Sequence, residues 1–264
     1  MIKVENLSCG YTNELVLDNV SLNVAPGEMV GVIGPNGSGK TTLIKAITGL
    51  VKLKSGSVLI DGDNINSVKS YDKAKKIAVV SQQSEELYLT VEEYVLLGRI
   101  PYYGRFQLFE TKEDRSLARK YIEMMGITQY IDHPLNQMSG GERQLAVIAR
   151  ALTQEPKALL LDEPTSYLDI THQAKVLDLV KKLNKKLGLS VLIVLHDLNL
   201  ASEYCDRLVL LNQKKVHKAG TPDEVLRYDI IEEVYKTVVV VRNNPITNKP
   251  YIFIVPEERL HTNV

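Results

Sequence analysis

The sequence contains no tryptophan, only three phenylalanines, and two cysteines, Cys9 and Cys205. Two cysteines so far apart match no metal-ligand spacing. They are expected to be reduced, partly buried apolar residues of a cytosolic protein. An excess of charge is also missing, because 32 Lys and Arg balance 32 Asp and Glu. That balance removes the electrostatic case for nucleic acid or an anionic membrane surface, both of which attract a basic surplus. Long apolar runs are absent as well. Val191-Leu192-Ile193-Val194-Leu195 is strand-sized, whereas a membrane helix needs about 20 apolar residues. Met1-Ile2-Lys3-Val4-Glu5-Asn6 has no stretch of signal-peptide length. The chain is therefore expected not to cross a bilayer, so that any membrane role comes through a partner.

What is there suffices for a folded protein: 264 residues, 44% hydrophobic and 24% charged, can bury a full core. Short apolar runs alternate with longer helical patterns, which predicts a mainly parallel sheet covered by helices. The runs at 29–33, 77–80, 158–161, 190–195 and 207–211 read as strands. Val176, Val180, Leu183 and Leu187 recur at the spacing of one helix face. Residues 2–7 and 16–24 alternate and read as an antiparallel hairpin or edge sheet. From 84 to 155 the alternation breaks: segments 91–97 and 114–125 look helical and no strand stands out, which predicts an inserted helical subdomain. Residues 237–241 and 251–255, on either side of a turn holding Pro245 and Pro250, read as a C-terminal hairpin. The expected organisation is a core over 1–83 and 156–235, a helical subdomain over 84–155 and an extension over 236–264.

Gly34-Pro35-Asn36-Gly37-Ser38-Gly39-Lys40-Thr41 fits the pattern G-x-x-x-x-G-K-[ST], between an apolar strand and a helix bearing Leu43, Ile44, Ile47 and Leu50. The glycines let successive backbone N–H groups turn inward on phosphate oxygens, and the helix N-terminus offers its partial positive charge to the same group. Lys40 would neutralise the β- and γ-phosphates, Thr41 would ligate Mg²⁺, and Thr42 would add a phosphate contact. A glycine-rich turn without a ligand is the plain alternative, and the flanking strand and helix argue against it.

Ala158-Leu159-Leu160-Leu161-Asp162-Glu163 is an apolar run ending in two acids. Such a strand delivers its carboxylates to its C-terminal edge, where ligands sit in open α/β sheets. Asp162 would hold the Mg²⁺ shell, and Glu163 would orient and deprotonate the attacking water. By itself this pattern is weak, since a helix cap also explains Asp-Glu; the phosphate cradle elsewhere in the chain gives it meaning.

Met138-Ser139-Gly140-Gly141-Glu142-Arg143-Gln144 stands before another helical run. As a bare pattern it is an N-cap; lying in order between the cradle and the two acids, it resembles the LSGGQ signature of ABC ATPases, with Met138 for Leu and Glu142 for Gln. Further elements of that family then fall in order. Tyr11 resembles the aromatic that stacks on adenine. Gln82, with Gln83 beside it, resembles the Q-loop glutamine that contacts Mg²⁺ and water. Asp169, in Ser166-Tyr167-Leu168-Asp169, resembles the D-loop aspartate that reaches across a dimer, and His196 resembles the switch histidine that senses the γ-phosphate. His172 is read as a surface or helix-start residue. The resemblance, over residues 1–235, implies an α/β P-loop NTPase (RecA-like) core with an antiparallel β part, a helical signature subdomain and a small C-terminal β extension. It also implies that Ser139, Gly140 and Gly141 of one copy close on ATP and Mg²⁺ held by a second copy.

Leu97-Gly98-Arg99-Ile100-Pro101-Tyr102, the stretch from Thr165 to Gln173 and the Val-rich C-terminal stretch resemble the ATPase subunits of importers for iron–siderophore complexes, haem and vitamin B12. That resemblance implies a peripheral protein on the cytoplasmic side of the membrane, docked through residues 84–105 to a polytopic permease and served indirectly by an extracytoplasmic solute-binding protein. A manganese or zinc importer ATPase is the near alternative. ABC ATPases acting on ribosomes or DNA would need a second domain or a long insertion, and a kinase-like P-loop enzyme would leave Ser139 and Asp169 unexplained.

Overall fold

Coordinates come from a computed structural model, in which residues 1–11, 14–81 and 88–256 are described. In chain order the elements are β1 (Ile2–Cys9), β2 (Leu17–Val24), β3 (Met29–Ile33), α1 (Lys40–Thr48), β4 (Leu53–Ile60), β5 (Asp63–Asn64), α2 (Ser70–Lys76), β6 (Ile77–Val80), α3 (Val91–Leu96), α4 (Lys112–Met124) and α5 (Gly140–Thr153). They continue as β7 (Ala158–Asp162), α6 (Ile170–Leu187), β8 (Ser190–Val194), α7 (Leu198–Tyr204), β9 (Arg207–Asn212), β10 (Lys215–Gly220), α8 (Pro222–Val225), α9 (Tyr228–Tyr235), β11 (Val239–Asn243) and β12 (Pro250–Ile254). All five core strands read from apolar runs are present, and the C-terminal hairpin is an antiparallel pair with Val240 opposite Phe253.

The chain divides into two compact units. One comprises residues 3–24, 29–58 and 192–264. In it β3 lies parallel to β9, with Val32 opposite Val209, and β9 is antiparallel to β10. Every residue of β3 is buried, which is why it reads as an unbroken apolar run and not as an alternation. β2 shows the opposite pattern, buried and exposed in turn along most of its length, as a strand with one wet face should. Cys9 and Cys205 are free thiols, both fully buried.

The other unit comprises residues 1–2, 25–28 and 59–191. Here β6 lies parallel to β7, with Val80 opposite Leu161, so that Asp162 and Glu163 emerge at the strand's C-terminal end. Helices α3, α4 and α5 pack on one another and each opens on a capping box, formed by Thr90 with Glu93, Thr111 with Asp114, and Ser139 with Glu142. On α6, Val176, Val180 and Leu183 are buried as their spacing requires, whereas Leu187 at the last turn is 38% exposed. Leu177 and Asn184 fill the remaining buried places, and the Asn184 amide donates to the carbonyls of Leu189 and Glu28 at 2.6 and 3.1 Å. No helix among the described residues is long and apolar enough to cross a membrane.

Candidate functional site

Gly34 ends β3 in a backbone conformation, φ 150°, that disfavours a side chain, and a Cβ there would sit 2.3 Å from the Leu211 carbonyl oxygen and 2.8 Å from Ser38 Oγ. The loop therefore turns away from the strand at the one residue that can make the turn. Beyond it α1 begins at Lys40, with Gly39 as its left-handed N-cap. Asn36, Gly37 and Thr41 are exposed around a cradle whose floor, Ser38, Lys40 and Thr42, is buried.

Two features of that floor suit a phosphate chain. Lys40 Nζ folds back to the carbonyl oxygens of Gly34 and Pro35 at 2.9 and 3.1 Å, so the ammonium already sits inside the loop. Ser38 Oγ is buried without a hydrogen-bond partner, a state that costs roughly 1–3 kcal/mol unless a ligand supplies an acceptor. Tyr11 stands next to the same helix, its ring 61% exposed, with its hydroxyl 3.4 Å from Thr42 Oγ1 and Lys45 Nζ 5.8 Å from the ring centre. Its exposed face is free of packing duty. His196 follows β8, exposed, at the rim of a cavity of about 350 Å³ that it shares with Asn199, Tyr235 and Ile252.

In the other unit, Asp162 is buried at the end of β7 and Glu163 follows it with φ 53°, a left-handed conformation unusual for a residue with a side chain. Ser166 Oγ donates to Glu163 Oε2 at 3.1 Å, and the Ser166 amide donates to the Glu163 carbonyl at 3.2 Å. The turn Glu163-Pro164-Thr165-Ser166 thus aims one carboxylate while holding it by a hydroxyl.

Ser139 caps α5. Its hydroxyl donates to Glu142 Oε2 at 2.6 Å and the Glu142 amide donates back at 3.3 Å. These bonds, first from Ser139 and then from Tyr130, hold the Glu142 carboxyl below its ordinary pKa. Glu142 therefore performs as a carboxylate the capping that an amide side chain also performs, which explains why glutamate is accommodated at this position. Ser139 and Gly140 are exposed at the helix N-terminus, where backbone N–H groups and the helix dipole attract an anion.

Asp169 caps α6 by accepting the His172 amide at 2.9 Å, and its second oxygen lies 2.8 Å from His172 Nδ1. Those bonds lower the Asp169 pKa. His172 is more than the surface residue its neighbourhood suggests: a Cβ on Gly141 would lie 2.1 Å from its Cδ2, so the imidazole stands directly against the signature glycine. One ring thereby joins Asp169 to Gly141. The signal for it in the sequence is slight, a histidine at N3 of a helix capped by aspartate.

Arg99 also proves structural. It lies nearly buried, donates to Asp114 Oδ1 at 2.8 Å and to the Thr153 carbonyl at 3.0 Å, and stacks 3.8 Å from the centre of the Tyr102 ring. Gly98 beside it touches the backbone of Arg150, where a Cβ would come within 2.3 Å of the carbonyl oxygen. Gln82 lies outside the described residues. Among the described residues no cluster of three or more His, Cys, Asp or Glu could hold a metal ion.

The model of the family described as ABC transporter matches residues 17–166, more than half of the chain. The protein belongs to the ABC transporter family. It is 36% identical, over 99% of its own length and 98% of the other's, to the iron(3+)-hydroxamate import ATP-binding protein FhuC of Bacillus subtilis. To the ABC transporter ATP-binding protein YvrA of the same organism it is 37% identical over 97% of its length, spanning 58% of that longer protein. Its fold is similar to that of an inward-facing metal-chelate type ABC transporter, with a TM-score of 0.84, 25% identity and 98% of each chain covered. As an ABC ATPase it binds and hydrolyses ATP, and its core is the P-loop NTPase fold.

Proposed function

We propose that this ABC ATPase is the ATP-hydrolysing subunit of an importer of metal chelates, working as a pair of identical copies. The observation that carries the ATP site is the cradle itself, with the Lys40 ammonium resting on two loop carbonyls and the buried Ser38 hydroxyl lacking a partner. A triphosphate supplies the partner that Ser38 Oγ lacks. Lys40 exchanges two neutral carbonyls for the β- and γ-phosphate oxygens, a charge-assisted bond for two ordinary ones. Tyr11 covers the base with its exposed face.

Thr41, Asp162 and Gln82 are the residues that would hold Mg²⁺, which supplies neutralisation of the phosphate charge. Glu163 orients the attacking water and takes its proton; His196 donates to the γ-phosphate. Ser139, Gly140 and Gly141 come from the second copy. Their exposed helix N-terminus offers hydroxyl and N–H donors where charge resides in the transition state. Asp169 reaches across the same junction. Hydrolysis is then conditional on closure, and closure is what performs work on a membrane partner.

That partner is a polytopic permease. Residues 84–105 are its docking region, and within them and just after lie exposed apolar side chains: Tyr88, Ile100, Phe106, Leu108 and Phe109. Of these, Ile100 also lines a groove of about 500 Å³, with Leu97 and Tyr103 and with Glu93 and Arg115. An apolar patch beside a polar rim is the composition of a protein–protein contact. The chain would sit peripherally on the cytoplasmic face, and an extracytoplasmic binding protein would deliver the solute. The similarity to the hydroxamate importer subunit supports a ferric chelate as cargo. The test is co-purification with the permease encoded beside it, followed by ATP turnover with and without a loaded binding protein. Stimulation by a ferric hydroxamate supports this reading; stimulation by free manganese or zinc alone overturns it.

A further inference from the structure

Ser139 and Glu142 hold each other at the start of α5. Glu142 Oε2 accepts the Ser139 hydroxyl at 2.6 Å and the Ser139 amide at 3.0 Å, while Ser139 Oγ accepts the Glu142 amide at 3.3 Å. A hydroxyl has one proton to donate. Here that proton is turned into the helix's own first turn, although Ser139 stands at an exposed position. The acceptor is ionised at neutral pH, because the bond from the Ser139 hydroxyl, first among several causes, holds the Glu142 carboxyl below its ordinary pKa.

In the proposed pair of copies the same proton has a second claimant. The Ser139 hydroxyl donates to the γ-phosphate held by the other copy, and it cannot donate to Glu142 at the same time. Closure therefore breaks the 2.6 Å bond in each copy. What remains depends on the residue at 142. A carboxylate has no hydrogen to turn toward the serine oxygen, so the two oxygens repel until the side chain swings out; Glu142 is half-buried and has solvent on one side. An amide of the same shape accepts through a neutral oxygen, in a bond about half as strong. It can also turn its NH2 group toward Ser139 Oγ once the proton has gone to phosphate.

We infer that Glu142 is a latch on the signature serine: it holds the hydroxyl proton that the second copy's γ-phosphate needs, and so raises the concentration at which two ATP-loaded copies pair. This rests on the two-copy reading above and acts through Ser139, so Glu142 is a positioning residue. A membrane partner that holds two copies close supplies, as effective concentration, what the latch removes. The free chain therefore pairs reluctantly, and the assembled one does not.

Glu142→Gln keeps the side chain's shape and removes its charge. Sedimentation of Glu163→Gln, with and without Glu142→Gln, at saturating ATP reads the effect. Loss of charge from one such bond changes an equilibrium about fivefold, and a symmetric pair releases two, so the dimer dissociation constant should fall about twenty-fivefold. The Tm should move the opposite way, slightly down, because an acid in the first turn favours a helix N-terminus. Stability and pairing that weaken together would show a capping role alone and overturn the latch. Glu224→Gln takes the same charge from the start of α8, where Glu224 Oε2 accepts the Thr221 amide at 2.8 Å, and should leave pairing unchanged. An equal gain in that variant would show a general charge effect and overturn the latch as well. Adding Ser139→Ala removes the contested proton, after which Glu142→Gln should gain no more than about twofold. A full gain persisting there would mean that the carboxylate acts on phosphate directly, not through the serine. With Glu163 intact, Glu142→Gln should reach half-maximal ATP turnover at a lower protein concentration than wild type. A Glu163→Gln chain that never pairs would refute the two-copy reading and the latch with it, whereas a pairing chain indifferent to Glu142→Gln would refute the latch alone.

Discussion

The backbone of Gly141 lies against the imidazole of His172, so closely that a single added methyl carbon would stand 2.1 Å from Cδ2. The same imidazole is bonded through Nδ1 to Asp169. The signature helix and the D-loop cap are thus set by one ring.

From this contact a coupled pair of effects follows. Gly141→Ala must displace the ring or the start of α5, and displacement of about 1 Å at transition-state donors costs on the order of a hundredfold in turnover. ATP affinity should hardly change, because Lys40 and the cradle belong to a separate part of the chain. His172→Ala makes room for the methyl group, so the double variant should recover part of the lost turnover. A steady-state ATPase cycle of the four proteins checks it; strict additivity of the two effects would show that ring and glycine act independently.

Arg99 is expected to matter for stability more than for chemistry. Its guanidinium is nearly buried with Asp114, and removing one member of such a pair leaves the other charge stranded, at a cost of roughly 3–5 kcal/mol. Chemical denaturation of Arg99→Ala should show that loss as a lower midpoint at unchanged slope. Arg99→Lys should recover only part of it, because an ammonium cannot serve Asp114, the Thr153 carbonyl and the Tyr102 face together.

Asp114 adds an acid limb to the stability profile. Burial acts to raise its pKa, but the bonds from Arg99 and from the amide and hydroxyl of Thr111 outweigh it and hold the carboxyl below the ordinary 3.8. A carboxyl depressed in the folded state stabilises fully above its unfolded value and loses that contribution as pH falls through the folded one. Denaturation midpoints should therefore drop as pH is lowered below about 4. In Asp114→Asn the starting stability should be lower and that part of the drop missing; an identical acid limb in variant and wild type would contradict the assignment.

The strands and the phosphate loop were legible because their signals are local. A run such as Ala158-Leu159-Leu160-Leu161 can only be a doubly buried strand, and glycine at 34 and 39 around one lysine specifies a backbone path. His172 was legible as a helix-start residue but not as the neighbour of Gly141, since only folding brings α5 and α6 together. Leu187 failed the periodic pattern for a simpler reason: it is the last residue before the Gly188 cap, where the helix leaves its neighbours. Gly98-Arg99 carried a family likeness in sequence; buried beside Asp114 and Arg150, it is a structural staple.

The central claim is that ATP is enclosed between two copies, with Ser139 of one completing the cradle around Lys40 of the other. Sedimentation of Glu163→Gln with ATP tests it most directly, because loss of the carboxylate stops turnover while every binding group remains. The account predicts a stable dimer holding two ATP, which Ser139→Arg in the same background returns to monomers that still bind ATP. A Glu163→Gln chain that stays monomeric while saturated with ATP, or that hydrolyses it at the wild-type rate, would contradict the shared site.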